Sequence, residues 1–177
     1  MLRSGNGRVL KPGQQVPKLE FPLVSGGAWS LDQGSGASLR LISFYRGAFC
    51  GFCTRFMQQL NGLHGAFAEL GIDLAGVSVD PEGVAKAWAE DNGIDRIAVG
   101  YGLSREQIEA CGVFASHFTR DGKELYFAEP ALWLVRPDGE LFLTIQSSVS
   151  CGRPDLESLL TGLKLLAGQG FPTRGNA

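Results

Sequence analysis

Two cysteines three residues apart, in Cys50-Gly51-Phe52-Cys53, are the first candidates for chemistry. At that spacing both sulfurs belong to one helical turn, near enough to close a disulfide. A thiolate is the nucleophile in thiol exchange and in peroxide reduction, so the pair predicts redox chemistry. Half of a zinc site is a second reading of the same spacing. It lacks a matching pair, because Cys111, Cys151, His64 and His117 are scattered, and no metal is expected. Two inert core thiols are a third reading.

The elements around the pair favour reactivity. Leu39 to Tyr45 is apolar and rich in β-forming residues, a buried strand ended by Arg46-Gly47. Beyond it Phe52, Phe56, Leu60, Leu63, Phe67 and Leu70 follow a helical period, and Gly71 stops the helix. The cysteines thus sit where a strand feeds a helix N-terminus, whose free N–H groups and dipole favour a thiolate. Arg46 is placed to add positive charge or to hold a peroxide oxygen. His64, eleven residues beyond Cys53 and about 16 Å along the helix, is too far to serve as a base.

The rest of the chain supplies a frame. Residues 1–18 read as a mobile or loosely docked arm, residues 19–167 as one domain, and residues 168–177 as a tail. Phe21 to Leu31 carries a weak hairpin signal, and Gln33 to Ser38 reads as a loop. Leu74 to Val79 is a second strand, after which Asp80-Pro81 supplies an N-cap and a first-position proline for a helix through Asn92. Ile97 to Val99 is a short strand, and Ser104 to Gln107 has capping-box spacing before a helix near Cys111. Residues 116–129 are polar, with a turn at Asp121-Gly122. Ala131 to Val135 and Leu141 to Ile145 form a hairpin through Pro137-Asp138-Gly139, and a last helix runs from about Pro154 to Ala167. Alternating strands and helices closed by a hairpin predict an α/β fold: a central mixed sheet flanked by helices, with an N-terminal β extension.

Composition narrows the function classes. In 177 residues, 44% are hydrophobic and 19% charged, which fits a folded core and not a disordered chain. A net charge of −2 argues against nucleic acid as partner and gives no case for an anionic membrane surface. Four cysteines are too few for a disulfide scaffold. No apolar run has signal-peptide or spanning length, so a cytoplasmic location is expected.

Phe44-Tyr45-Arg46-Gly47-Ala48-Phe49-Cys50-Gly51-Phe52-Cys53 resembles the Phe-Tyr-Arg-Gly-x-x-Cys-Pro-x-Cys signature of the peroxiredoxin-like branch of the AhpC/TSA family, within the thioredoxin fold. Val77 to Asp80, Val99 to Leu103 and Glu129 to Gly139 resemble further segments of that branch, in its order. The resemblance implies a thiol-dependent oxidoreductase with a thioredoxin-like core, catalytic Cys50 and Cys53, and no cofactor; a redox-sensing or interaction module that keeps the fold with little turnover is the alternative. It implies a peroxide or disulfide substrate, an external dithiol reductant and a homodimer. Peroxiredoxin alignment makes Cys53 the attacking thiol, and thioredoxin alignment makes it Cys50. By position, Tyr45, Arg46, Phe49, Glu129 and Pro130 support the site, with Pro130 matching a proline that is normally cis. Cys151 is a candidate resolving cysteine, Cys111 reads as core, and Arg136 and Arg153 read as solvated charges. Four positions depart from the patterns. Arg46 and Cys50 stand where a peroxiredoxin has proline and threonine. Gly51 replaces the proline between the cysteines, which frees the turn and adds one N–H donor. Pro130 stands where a second active-site arginine usually does.

Overall fold

The computed structural model describes residues 8–32, 39–167, 170 and 172–177. The expected loop at Gln33 to Ser38, the first seven residues of the arm, and residues 168, 169 and 171 of the tail lie outside the described residues.

A five-stranded sheet forms the centre, in the order β5-β4-β3-β8-β9. Strands β3 (Leu39–Phe44), β4 (Ile72–Val77) and β5 (Ala98–Gly100) are parallel. Strands β8 (Ala131–Val135) and β9 (Leu141–Gln146) complete it antiparallel. Every residue of β8 is buried. Its period of two sends Leu132 and Leu134 into one core, and Ala131, Trp133 and Val135 into the other. The same alternation in β3 parts Leu41 from Ile42 and Phe44.

Helices α1 (Gly51–Gly62), α2 (His64–Ala68), α3 (Glu82–Asp91) and α5 (Leu156–Ala167) bring their buried side chains to the Leu41 core. Helix α4 (Arg105–Cys111) and the hairpin of β1 (Glu20–Pro22) with β2 (Ala28–Ser30) close the Ile42 core. Met57 of α1 lies so close over β4 that a Cβ on Gly76 would stand 2.1 Å from its methyl carbon. Gly76 leaves room for that side chain, through which α1, with the cysteines at its start, packs on the sheet.

Three expectations change, and one stretch gains structure. The helix drawn from Phe52 to Leu70 is two helices, interrupted at Leu63 after Asn61-Gly62, a weak helix-forming pair. Asp80 is not a helix cap: Pro81 occupies the N-cap position of α3, and the Asp80 carboxylate turns back toward the cysteine loop. Residues 116–129 carry the expected turn at Asp121-Gly122, and the polar stretch on either side of it is most of the ladder between β6 (Ala115–Arg120) and β7 (Lys123–Ala128). The Glu129–Pro130 bond is trans, since no cis peptide is present among the described residues. Trans is the lower-energy form and carries the chain extended from β7 into β8.

Residues 8–16 run beside the turn before β9. Gly13 and Leu141, and Val16 and Gly139, are joined by backbone hydrogen bonds, and Val16 and Leu19 are buried. Among the described residues, no helix is long and apolar enough to cross a membrane.

Candidate active site

Cys50 and Cys53 straddle the start of α1. Cys50 is the N-cap residue, in extended conformation, and its sulfur accepts the Cys53 backbone N–H at 3.3 Å. Capping is normally done by an oxygen; here a sulfur satisfies one of the free N–H groups of the first turn. Cys53 is fully buried, and Cys50 is 5% exposed. No disulfide joins them, and all four cysteines are free thiols.

The loop from β3 to α1 is locked from behind. Gly47 has φ +137, and a Cβ there would meet the Asp80 carboxylate oxygens at 2.9 and 3.0 Å. Glycine lets that carboxylate approach, accept the Ala48 N–H at 2.8 Å and accept the Ser78 hydroxyl at 2.9 Å. The end of β4 thereby fixes the loop that aims Cys50. The sequence motif contained Asp80, and its capping pattern disguised this use.

Arg153 reaches Cys53 from the turn before α5. Its Nη2 donates to the Cys53 sulfur at 3.0 Å, its Nε donates to the Ser150 carbonyl at 3.2 Å, and its guanidinium lies 4.7 Å above the Phe56 ring. The reading of Arg153 as a solvated charge is therefore wrong. Nothing in its local spacing marks it, because the contact spans a hundred residues. A cleft of about 10 Å³, the size of one water, opens beside it between Phe56, Pro130, Ile145 and Pro154.

The protonation of Cys53 also departs from expectation. Burial and the neighbouring Cys50 thiol push it up to about 12, while Arg153 and the Arg46 backbone N–H act to lower it. Helix-end electrostatics are outweighed by the cost of charging a sulfur removed from water. In this conformation Cys53 is a thiol at neutral pH.

The remaining expected residues surround this core. Tyr45 is fully buried and stacks on Trp88 at 5.0 Å. The Arg46 guanidinium is held in an ion pair with Glu129 at 3.4 Å and above the Phe127 ring at 4.7 Å. Glu129 is buried and also accepts the Ser116 hydroxyl. Phe49 is 62% exposed, edge-on to Phe127, and Phe52 is exposed beside it in α1. Pro130 is buried at the start of the cleft-lining segment. Cys151 is exposed on the Arg153 turn, two residues from the guanidinium that touches Cys53. Arg136 is ion-paired with Glu140, and His117 Nε2 lies 3.5 Å from the Glu124 carboxylate on the β6–β7 ladder. Among the described residues, no three metal-binding side chains come together.

A model of the AhpC/TSA family matches residues 12–143. No curated protein matches the chain. Solved structures with the same fold include peroxidoxin BcpB from Mycobacterium tuberculosis, with a TM-score of 0.73 at 21% identity over 89% of this chain and 98% of that one. A cysteine-to-serine mutant of peroxiredoxin 6 from Arenicola marina superposes with a TM-score of 0.77 at 21% identity, over 90% and 76%. A peroxiredoxin-like protein from Aquifex aeolicus gives 0.73 at 16% identity, over 89% and 88%. The central mixed sheet with flanking helices is the thioredoxin-like architecture of these proteins.

Proposed function

The chain belongs to the AhpC/TSA family of thiol-dependent oxidoreductases, and on that premise we propose that it is a peroxidase in which Cys53 attacks and Cys50 resolves. The observation that carries this assignment is the convergence of the Arg153 guanidinium and the Arg46 N–H on the Cys53 sulfur. Both stabilise a thiolate there more than a thiol.

In the first step the Cys53 thiolate forms an S–O bond with the terminal peroxide oxygen; the O–O bond breaks, and the departing alkoxide or hydroxide takes up a proton. Cys53 is then a sulfenic acid. The Cys50 thiol attacks that sulfur, closes Cys50–Cys53 and releases water. An external dithiol reduces the disulfide by two exchange steps and leaves as its own disulfide.

Burial imposes a condition on this cycle. Cys53 has no solvent exposure and its sulfur titrates high, so the first turn of α1 must open for peroxide to enter. Gly51, in place of proline, makes that turn easier to open.

A second reading is disulfide exchange begun by Cys50. It is favoured by the position of Cys50, 5% exposed where Cys53 has no exposure, between the exposed Phe49 and Phe52 in the chain. Mass spectrometry of protein treated with one equivalent of peroxide separates the two. Sulfenic acid trapped on Cys53 in a Cys50→Ser variant supports the peroxidase. No oxidation of Cys53 in that variant, with reduction of disulfide substrates intact in the wild type, rejects it.

A further inference from the structure

The sheet has a gap at the end away from the cysteines. Strand β5 pairs with β4 only from Ala75 to Val77, so Ile72, Asp73 and Leu74 have a strand partner on the β3 side alone. Arg40 of β3 is paired in register with Asp73 at that end, about 13 Å along the strand before Phe44. A cavity of about 430 Å³ opens there. Sites for small molecules span about 300–1,000 Å³.

The lining combines apolar walls with ionisable groups. Leu23, Ile72 and Leu74 supply apolar surface, and Arg40, His64, Asp73 and Arg96 supply the rest of the chemistry. Arg40 is 7% exposed, lies 5.4 Å from the centre of the Trp29 ring and donates from Nη1 to the Ser30 carbonyl. Phe21 stacks on the same indole at 4.8 Å. The side chains of His64, Asp73 and Arg96 make no hydrogen bond or ion pair among the described residues. The His64 Nδ1 is also sealed from solvent. A buried nitrogen without a partner is uncommon and costs stability.

Charge balance narrows the ligand. Two guanidinium groups against one carboxylate leave one negative charge to be supplied. A doubly charged phosphate would face Asp73 as a like charge, and a neutral molecule would leave Arg96 unanswered. The planar fork of a guanidinium matches a carboxylate. We propose that this cavity binds a small monocarboxylate with an apolar body. Its carboxylate is held by Arg96 within the positive field of Arg40, and its hydrocarbon lies against Leu23, Ile72 and Leu74. The site stands apart from the cysteine cycle and does not depend on which sulfur attacks.

Octanoate is the probe. Binding to the full chain is read by titration calorimetry and by the indole N–H resonances of the three tryptophans. Saturable one-to-one binding is expected, moving the Trp29 resonance and leaving Trp88 and Trp133 in place, with Trp29→Phe assigning the signal. Arg96 is exposed and Asp73 half-buried, so substitutions there are expected to fold. Arg96→Gln should weaken octanoate about tenfold, the loss of one hydrogen bond to a charged group. Asp73→Asn should tighten it, because a like charge is gone. Octanol and inorganic phosphate should each bind about tenfold more weakly than octanoate or worse. The proposal is overturned by absence of saturable binding, by octanol or phosphate binding as tightly as octanoate, by unchanged affinity in Arg96→Gln, or by weaker binding in Asp73→Asn. A shift confined to Trp88 would put octanoate beside the cysteines and overturn it as well.

Discussion

Cys53 and Cys111 are both buried on helices and both pushed up to about 12, yet they are built to opposite ends. Cys53 stands in the first turn of α1, and Cys111 is the last residue of α4. The helix dipole favours a thiolate at the first position and opposes it at the second. Around Cys111 burial alone raises the thiol, among apolar partners such as Ile108 and Val113. Around Cys53 burial is opposed by Arg153 and by the Arg46 N–H. The resting protonation state therefore does not distinguish a reactive thiol from an inert one. The difference lies in the donors already aimed at the sulfur, which act fully once the first turn opens.

The largest effect that can break this contrast is loss of the sulfur proposed to attack. Cys53→Ser is expected to lower dithiol-dependent peroxide consumption by about 10³-fold or more, while Cys111→Ala leaves it intact. Equal losses in both variants would end the comparison. Next in size is Arg153→Leu, which removes a charged hydrogen bond at the sulfur. Stopped-flow oxidation of Cys53 is expected to slow by about 10- to 100-fold, with no change in Cys111 alkylation.

A smaller effect concerns stability at alkaline pH. Both thiols titrate higher in the folded chain than their ordinary value. The unfolded chain ionises them first as pH rises, so each contributes stability that is complete below about pH 8.5 and lost toward the folded value. Urea unfolding should show a decline between neutral pH and about pH 10.5. Cys111→Ala should flatten part of that decline. The smallest effect is that variant's own cost at neutral pH. Truncating one small buried side chain is expected to take about 1 kcal/mol from the urea-derived stability.

Much of this contrast was legible in the chain. The apolar run of Leu39 to Tyr45 and the hydrophobic period from Phe52 declare a strand feeding a helix, because burial of alternate or periodic faces leaves its mark residue by residue. Cys111 was readable as core from its apolar neighbours. Arg153 was not, because its partner is a hundred residues away and nothing in Gly152-Arg153-Pro154 encodes that distance. Asp80 looked like a cap because aspartate before proline usually is one, and only the close approach at Gly47 diverts it. The β6–β7 ladder was hidden by its polarity. Its strands pair only with each other and bury few side chains, so they carry no strong apolar alternation. The trans bond before Pro130 overturned an analogy rather than a pattern in the chain.

The sulfur that caps α1 joins the chemistry to the start of a helix. While Cys50 is reduced, it holds the Cys53 N–H and keeps the first turn wound. In the proposed cycle that same sulfur is the resolving nucleophile, so one atom both starts the helix and ends the oxidation. The reaction that consumes the Cys50 thiol therefore alters the group that caps α1, beside a face where Phe49 and Phe52 are exposed.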